Sequence, residues 1–263
     1  MVADLTGKSI LVVGASSGIG RAIGLLSAAA GADVAFAARR IDRLEQAAAE
    51  AGGNSFALAC DVRHPEECQR VTDQAAEVLG GLDAVVYAPG LSALSRFEDA
   101  GEDLWRVLVE TNIIGAAMVA RAALTHLCAS RGRLLLLGSS SVGHPYPGLV
   151  PYATTKAALH EMARGLRGEY PWLRVTTFVV GPTMTEFAND WDPVLAGDMF
   201  TRWEAEGYPA GATATPDEMA AQVVQVLASE ANIPEIGVMP VVDATTETME
   251  RWALPTIDRG VSR

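Results

Sequence analysis

The sequence is poor in cysteine, lysine and aromatic residues, and these scarcities exclude several classes of protein. Its three cysteines are odd in number and form no C-x-x-C pair, which argues against a disulfide framework and a structural zinc site. Its four histidines include no H-x-x-x-H pair, so we predict no metal site. The net charge is −12 and no long basic run offsets it. This argues against nucleic acid as a partner, because such binding needs Lys and Arg to neutralise phosphates.

From the sequence we expect neither a leader segment nor a long apolar run. Its first residues include Asp4 and lead straight into a strand-like run, which is unlike a signal peptide. Its apolar runs look no longer than a strand, so we predict that no helix spans a membrane. These features together predict a cytoplasmic protein with reduced thiols.

What is present is a regular alternation of short apolar runs and helical patterns. The runs predicted as strands are Ser9–Val13, Asp33–Ala38, Ser55–Ala59, Leu82–Tyr87, Arg133–Leu137, Leu173–Val180 and Gly237–Val242. The predicted helices are Gly20–Ala30, Arg40–Ala51, His64–Leu79, Glu102–Ala129, Tyr152–Glu169 and Asp217–Ser229. Continuous apolar strands alternating with helices predict a doubly wound, Rossmann-like α/β fold. We expect about seven parallel strands with helices on both faces, in one domain spanning residues 1–263.

The stretch Thr185–Thr215 breaks this alternation. It holds Trp191, Phe200, Trp203 and Tyr208 among Asp, Gly and Pro residues. Long irregular segments in compact domains are uncommon and often functional, so we predict a mobile substrate lid over an apolar site. The alternative is a surface excursion with two tucked-in tryptophans.

A glycine-rich turn follows the first predicted strand. It reads Gly14-Ala15-Ser16-Ser17-Gly18-Ile19-Gly20 and leads into the next helix. Glycines let the backbone approach a pyrophosphate, and a helix N-terminus offers free N–H groups and the positive end of its dipole. The turn therefore predicts a dinucleotide site, although such turns also occur for packing alone. The predicted contacts are Gly14, Ser16, Ser17, Gly18, Ile19 and Gly20.

The end of the second predicted strand distinguishes NAD from NADP. An acidic side chain there binds the ribose 2′-hydroxyl of NAD, and an arginine nearby accommodates the 2′-phosphate of NADP. This chain has Ala38 at the acidic position, followed by Arg39 and Arg40. We therefore predict NADP as the cofactor, with Arg39 at its phosphate. NAD is the less favoured alternative, in which both arginines are solvated charges.

Tyr152 and Lys156 are four residues apart at the start of a predicted helix, which places them on one face. A free tyrosine has a pKa of about 10, too high for proton transfer at neutral pH, and a nearby ammonium group lowers it. The only other lysine is Lys8, and the remaining cations are arginines. The pair is therefore typical of a site that moves a proton to or from an alcohol oxygen. A surface Tyr beside a solvated Lys is the alternative.

These motifs resemble those of the short-chain dehydrogenase/reductase family over roughly Leu5 to Val242. The glycine turn is similar to T-G-x-x-x-G-x-G, with Val13 in place of Thr, and Tyr152 and Lys156 match Y-x-x-x-K. A later segment similar to P-G-x-x-x-T reads Val180-Gly181-Pro182-Thr183-Met184-Thr185, with Val180 where Pro is usual. The largest departure is from the family's N-N-A-G, where this chain has Tyr87-Ala88-Pro89-Gly90.

The resemblance implies a role for each matching residue. Tyr152 is expected to be the acid or base, and Lys156 to lower its pKa and bind the nicotinamide ribose. Asn112 is expected to mark a helix kink that supports a proton relay. Ser139 is expected to hold the substrate oxygen, because it follows the fifth strand and lies 13 residues before Tyr152; the S-x-x-G pattern favours Ser140 instead. The cofactor contacts implied beyond the glycine turn and Arg39 are Asp61, Val62, Ala88, Gly90, Tyr152, Lys156, Gly181, Thr183 and Thr185.

Sequence and resemblance together predict an NADP-dependent oxidoreductase that transfers a hydride between nicotinamide and a ketone or secondary alcohol. The alternatives are a non-catalytic NADP(H)-binding sensor or scaffold of the same fold, or an NAD-linked dehydrogenase. The stretch Glu102–Ala129 has more apolar residues than one sheet face needs, and in the family this helix packs against another subunit. We therefore predict a homodimer or homotetramer.

Overall fold

The structure is a computed structural model, and it describes residues 3–144, 146–208 and 213–240. Seven strands form one parallel sheet in the order β3-β2-β1-β4-β5-β6-β7. The strands are β1 Ser9–Val13, β2 Asp33–Ala38, β3 Ser55–Ala59, β4 Ala84–Tyr87, β5 Arg133–Leu137, β6 Arg174–Val180 and β7 Glu235–Val238. This topology confirms the predicted doubly wound α/β fold.

Helices cover both faces of the sheet. They are α1 Gly18–Ala29, α2 Ile41–Ala51, α3 Pro65–Leu79, α4 Glu102–Val109, α5 Gly115–Ser130, α6 Val150–Glu169, α7 Pro193–Ala205 and α8 Pro216–Ala228. One buried cluster joins the sheet to α3, α5 and α6, and a second joins its other face to α1, α2 and α8. The core therefore has two halves, one on each face.

Strand β1 shows why the strands are continuous apolar runs. Leu11 and Val13 belong to the cluster on one face, whereas Ile10 and Val12 belong to the cluster on the other. Successive side chains of a strand point to opposite faces, and both faces of this sheet are covered by helices. Apolar residues are therefore favoured at consecutive positions.

The strand order reverses between β1 and β4, and this point positions the site. Ligands of doubly wound sheets bind in the crevice at the carboxyl ends of the strands flanking such a reversal. Gly14 follows β1 and Ala88 follows β4. The two segments touch, because a Cβ on Gly14 would lie 2.8 Å from the backbone nitrogen of Pro89.

Three predicted elements differ from those observed. The predicted helix Glu102–Ala129 is α4 and α5 with a π-helical turn, Glu110–Ile114, between them. The predicted strand Leu82–Tyr87 begins only at Ala84. In place of the predicted strand Gly237–Val242, the structure has β7, which begins at Glu235 and ends at Val238. Residues 241 and 242 lie outside the described residues.

The expectation that Thr185–Thr215 is irregular is also wrong, because much of it is helical. A short 3₁₀ turn, Glu186–Ala188, is followed by α7. Asp192 caps α7 by accepting a hydrogen bond from Leu195 N (2.8 Å), and a proline occupies the first helical position. Gly197 lies inside α7, and residues 209–212 of the stretch lie outside the described residues.

The helical run Glu102–Ser130 corrects the expectation that apolar stretches are only strand-length. By length and composition it is apolar enough to cross a membrane, among the residues that the structure describes. Nearly half of its most apolar part is buried inside the protein, where α5 packs on α3 and the sheet. A core helix has the same composition, so this run is weak evidence for a membrane span.

Candidate active site

The glycine turn between β1 and α1 has conformations and clearances that favour glycine. Gly14 and Gly18 have positive φ angles of 83° and 54°. A Cβ on Gly20 would lie 2.4 Å from the carbonyl oxygen of Gly14. Ser17, the N-cap of α1, forms no side-chain capping hydrogen bond, which leaves the first N–H groups of the helix available to an anion. Ile19 is half-buried and packs against the core beneath α1.

Arg40 is the arginine after β2 that contacts the glycine turn. Its Nη2 donates hydrogen bonds to Ser16 Oγ (3.0 Å) and to Ser17 Oγ (2.7 Å). Arg39, the residue singled out in the sequence, is exposed. A phosphate contact by Arg39 stays a prediction, and Arg40 is the candidate that the sequence reasoning passed over.

Asp61 and Val62 follow β3, beside the crevice. The Arg63 guanidinium donates hydrogen bonds to Asp61 (Nε–Oδ1 3.0 Å, Nη2–Oδ2 2.5 Å). This contact, and to a smaller extent the charge of Arg39, lowers the pKa of Asp61. Val62 is buried, and a Cβ on Gly115 would lie 2.8 Å from its carbonyl oxygen. An adenine contact by the Asp61 carboxylate would therefore be shared with Arg63.

Tyr152 and Lys156 lie one turn apart on α6 and are both buried, with 6% and 3% of their surface exposed. Lys156 Nζ is 5.9 Å from the centroid of the Tyr152 ring and donates a hydrogen bond to Leu137 O (2.9 Å), at the end of β5. Ser139, two residues further on, forms a hydrogen bond with the Tyr152 side chain. The structure thus brings three predicted catalytic side chains together at the carboxyl end of β5.

The pKa values of Tyr152 and Lys156 differ from what the sequence predicts. Burial raises the pKa of Tyr152 to about 12, and the hydrogen bond with Ser139 opposes part of that rise. Burial also lowers the pKa of Lys156 to about 8. The pKa of Tyr152 is thus raised in this conformation, because burial cuts the phenolate off from water. That Lys156 lowers the pKa of Tyr152 stays a prediction.

Ser139 is held in place from two sides. Its Oγ lies 2.9 Å from Ser141 Oγ and accepts a hydrogen bond from Ser141 N (3.1 Å). Its backbone N–H is directed at His160 Nε2 (3.4 Å). Burial lowers the pKa of His160, which favours the neutral ring that can accept this bond. The alternative Ser140 is only half-buried, and its backbone N–H donates to Val180 O.

Asn112 lies in the π-helical turn between α4 and α5. Its Nδ2 donates to Leu91 O and to Thr155 Oγ1, both at 2.9 Å, and its Oδ1 accepts from Leu91 N at 2.9 Å. Asn112 is fully buried, so these bonds fasten the segment after β4 to α6. The departure from α-helical geometry occurs where the resemblance implies a kink, and π turns are frequent at functional sites.

The segment Tyr87–Gly90, which departs most from the family, still lines the crevice. Tyr87 OH donates to the carbonyl oxygen of Thr111 (2.5 Å), in the π-helical turn. Ala88 lies beside the glycine turn, since a Cβ on Gly20 would be 3.1 Å from the Cβ of Ala88. Gly90 lies beside Lys156, since a Cβ on Gly90 would be 3.4 Å from Lys156 Nζ.

Gly181, Thr183 and Thr185 follow β6 on the other side of the crevice. Gly181 N donates to Val238 O (2.9 Å), and Thr183 Oγ1 donates to Gly181 O (2.9 Å). Thr185 reaches the glycine turn, since a Cβ on Gly18 would lie 3.5 Å from its Cγ2. Of these three residues, Thr185 is the one that lies against the glycine turn.

The sequence did not indicate what covers Tyr152. The Phe187 ring packs edge-on against it, with 5.0 Å between ring centroids. Ser92 Oγ donates to Phe187 O (2.7 Å) and accepts from Trp191 Nε1 (2.9 Å). Only the aromatic character of this stretch signalled the cover, and the partner Ser92 is distant in sequence.

Trp203 of the predicted lid belongs to a small separate core, against which Trp191 and Tyr208 pack. Met199 and Trp203 are buried with Leu94 and Leu149. Trp203 Nε1 also donates to the carbonyl oxygen of Pro147 (2.9 Å). For Trp203 the packing corresponds to the tucked-in alternative, and movement of the segment as a lid stays a prediction.

The crevice fits a dinucleotide and a proton-transfer reaction. Glycines in the Gly14–Gly20 turn allow close backbone contacts that a Cβ would prevent. Arg40 places a positive charge beside the hydroxyls of Ser16 and Ser17 in this turn. The buried side chains of Ser139, Tyr152 and Lys156 lie next to it. Fold and site together are typical of dinucleotide-binding domains of the doubly wound α/β class.

Comparison with known proteins specifies the class further. A family model described as short chain dehydrogenase matches residues 8–193. The chain belongs to this family.

Two curated relatives illustrate the similarity. The chain is 36% identical over 172 residues to 11-beta-hydroxysteroid dehydrogenase 1A of Arabidopsis thaliana, with 63% of this chain and 49% of the relative covered. It is 34% identical over 186 residues to an uncharacterized oxidoreductase of Staphylococcus aureus, with 70% of this chain and 80% of the relative covered. The chain thus spans about half the length of the plant relative.

Two solved structures share the fold over 90% of the chain. An alcohol dehydrogenase from the archaeon Thermococcus sibiricus, complexed with 5-hydroxy-NADP, has a TM-score of 0.78 and 27% identity, with 98% of its chain covered. A short chain dehydrogenase from Burkholderia cenocepacia in complex with NADP has a TM-score of 0.78 and 28% identity, with 97% of its chain covered.

Proposed function

We propose that this chain is an NADP-dependent oxidoreductase that interconverts a ketone and a secondary alcohol. The observation that carries the proposal is the buried set of Ser139, Tyr152 and Lys156 beside the glycine turn. The bound cofactor supplies or accepts the hydride. The chain's own residues hold the substrate oxygen and move the proton.

Tyr152 holds the proton that passes to or from the substrate oxygen. With a pKa of about 12 it is protonated at neutral pH, as the acid of a reduction must be. Lys156, with a pKa of about 8, is mostly charged at neutral pH and stabilises the phenolate when the proton leaves. Ser139 donates a hydrogen bond to the substrate oxygen, and Asn112 keeps the Leu91 segment and α6 in position.

The residues after β2 support NADP over NAD. The strand ends at Ala38, without the carboxylate that would bind a ribose 2′-hydroxyl, and Arg39 and Arg40 follow. Arg40 already contacts the hydroxyls of the glycine turn, where it can pair with a phosphate bidentately. The Thermococcus and Burkholderia proteins, described with NADP-type ligands, agree with this choice.

The substrate we propose is an apolar molecule, bulky or small, with a carbonyl or alcohol group. Phe187 packs on Tyr152 and Trp191 packs on Phe187, so we propose that a substrate oxygen that reaches Tyr152 passes aromatic side chains. We propose that Thr185–Thr215 moves as a lid to admit it and then excludes water from the proton transfer. The plant relative is named a hydroxysteroid dehydrogenase, so steroid ketones belong among the compounds tested.

Turnover by the purified protein tests the proposal. NADPH and NADH are each incubated with ketones that range from small aliphatic compounds to steroids, and nicotinamide absorbance is followed. Oxidation of NADPH with at least one ketone, faster than that of NADH, is expected. Binding of NADPH without turnover of any ketone or alcohol would instead favour a sensor or scaffold. Equal use of both cofactors would contradict the choice of NADP.

We also propose that the chain assembles as a homodimer or homotetramer through the outer side of the α4–α5 run. Ile114 is 40% exposed there. Met118 and Leu124 on the same run are only partly buried within one chain. A second copy would remove these apolar side chains from water.

A further inference from the structure

Three consecutive residues after β6 contact three parts of the crevice. Thr185 packs against Gly18 in the glycine turn. Glu186 forms ion pairs with the arginines at the start of α2. Phe187 covers the ring of Tyr152. This segment therefore extends along the cofactor crevice from the turn to the proton-transfer residues.

The middle residue, Glu186, places its carboxylate between the guanidinium groups of Arg40 and Arg43. Glu186 Oε2 accepts a hydrogen bond from Arg40 Nη1 (3.1 Å), and Oε1 accepts one from Arg43 Nη1 (2.8 Å). The same Arg40 donates to the hydroxyls of Ser16 and Ser17. These bonds, with that from Arg43 the largest, lower the pKa of Glu186 to about 2, so it is ionised at neutral pH.

A carboxylate and a phosphate use the same donors in such a cluster. Arginine binds either group through paired N–H donors, and the contacts are stronger when the anion carries more charge. A phosphate monoester carries a charge of about −1.5 to −2 at neutral pH, against −1 for Glu186. The side chains of Glu186, Arg40 and Arg43 are 41–46% exposed, so the present ion pairs are weak enough to exchange.

We infer that Glu186 is a specificity-determining residue, whose carboxylate occupies Arg40 and Arg43 and is displaced by the 2′-phosphate of the cofactor. The inference rests on the proposed NADP-dependent function. NADPH gains the contacts with both arginines but must break those of Glu186, whereas NADH has no phosphate with which to compete. Because Phe187 is the next residue, displacement of Glu186 also loosens the cover over Tyr152. Glu186 thus limits the preference for NADPH and links binding of the phosphate to opening of the site.

Nucleotide binding tests the inference without turnover. The dissociation constants of NADPH, NADH, 2′,5′-ADP and 5′-AMP are measured by calorimetry for the wild type and for Glu186→Gln, which removes the charge but keeps the shape. We expect the preference for the 2′-phosphorylated ligand of each pair to rise about threefold to tenfold in the variant, because up to two exposed ion pairs no longer compete. Glu186→Asp, which retains the charge, is expected to stay closer to the wild type.

Glu204→Gln is the matched control, because it removes one carboxylate from α7, where Glu204 is exposed and has no ion pair among the described residues. It is expected to leave the preference unchanged. A similar rise in Glu204→Gln, or no rise in Glu186→Gln, would overturn the inference while leaving the proposed function intact. A wild type without preference for NADPH would overturn the proposed cofactor, and the displacement by phosphate with it.

Hydrogen exchange of the ligand-free protein provides a second readout. The backbone N–H groups of Phe187 and Trp191 donate to Thr185 Oγ1 (3.2 Å) and Ala188 O (3.1 Å), so they report on this segment. Their exchange is expected to be several-fold faster in Glu186→Gln than in the wild type and unchanged in Glu204→Gln. Equal exchange in wild type and Glu186→Gln would show that the carboxylate does not hold the segment.

Discussion

The rings of Phe187 and Tyr152 meet edge to face, with centroids 5.0 Å apart and planes inclined by 72°. This contact adds to the burial that raises the pKa of Tyr152 to about 12, because a phenolate would form there away from water. We expect movement of Phe187 away from the ring to lower this pKa toward its usual value of about 10. The position of the segment after β6 would then affect the acidity of Tyr152.

Replacement of Tyr152 by Phe tests its role as the acid. The ring and its contact with Phe187 remain, so NADPH should bind within about twofold of the wild type. Turnover should fall by about 10²- to 10⁴-fold, as expected for the loss of a general acid. Tyr170→Phe, at the end of the same helix, serves as the control and should retain full turnover. Turnover of Tyr152→Phe within a few-fold of the wild type would mean that another group donates the proton.

Replacement of Arg40 by Gln tests the contact with the cofactor phosphate. The dissociation constant of NADPH should rise about tenfold, which corresponds to roughly 1–2 kcal/mol for a charge-assisted hydrogen bond, and that of NADH by less than about twofold. Fluorescence titration measures both. Arg164→Gln, an exposed arginine on α6 paired with Glu161, should change neither. If Arg40→Gln weakened the binding of NADPH and NADH equally, Arg40 would not contact the cofactor phosphate. The same measurement on Arg39→Gln would then show whether Arg39 makes that contact.

The strands are the part of the fold that is most predictable from the sequence. β1 and β5 have the predicted ends, because each is a continuous apolar run that stops before a glycine. β7 is less predictable, because it is an edge strand with alternating exposure that contains Glu235 and Gly237. Its position depends on pairing with β6, which a local pattern does not contain.

The helices show which signals can be read locally. Asp192-Pro193 is an N-cap followed by a proline at the first helical position, so α7 was predictable and was missed. The π-helical turn has no such signal, because the apolar pattern continues through it. The turn is stabilised by hydrogen bonds from Asn112 to Leu91 and Thr155, which lie on other parts of the chain.

In the candidate site, the sequence indicates residue identity better than environment. Ser139, Tyr152 and Lys156 can be found because each lies at a fixed place relative to a strand or helix. The pKa values of Tyr152 and Lys156 depend on their burial in the folded chain, which the motif does not contain. The contact of Glu186 with Arg40 joins residues 146 positions apart, so only the folded chain reveals it.

Lys156 predicts a stability change with pH. Burial lowers its pKa from 10.5 to about 8 in the folded protein. Between these values the unfolded chain binds more protons than the folded one, so the free energy of unfolding contributed by Lys156 should rise as pH increases. Urea unfolding at pH values of about 7.5 and 9.5 should therefore show a gain, on the order of 1–3 kcal/mol, that Lys156→Met lacks.

Lys8→Met is the control for this comparison, because Lys8 is the other lysine and its side chain is 38% exposed. It should retain the pH-dependent gain of the wild type. The same slope in wild type and Lys156→Met would show that the folded protein does not penalise the charge of Lys156.

Gly24→Ala tests the packing of α1 against the sheet, and Gly165→Ala on α6 is the comparison. A Cβ on Gly24 would lie 2.2 Å from the ring of Phe36, which is fully buried, so Gly24→Ala should lower the free energy of unfolding by about 1–3 kcal/mol. At the exposed position Gly165 of α6, a Cβ would have no atom within 4 Å, so Gly165→Ala should raise the free energy of unfolding by up to about 1 kcal/mol. Urea unfolding measures both. Equal effects would mean that α1 does not approach β2 this closely.

Ile114→Glu tests the proposed assembly. Ile114 is 40% exposed at the end of the π-helical turn, where a second copy of the chain would cover it. A carboxylate buried there without a partner is costly, so the variant should be monomeric by light scattering at micromolar concentration while the wild type is a dimer or tetramer. Val78→Glu on α3, where the valine is 39% exposed, should keep the wild-type mass. A monomeric wild type would refute the assembly, and dissociation by Val78→Glu instead of Ile114→Glu would move the interface to α3.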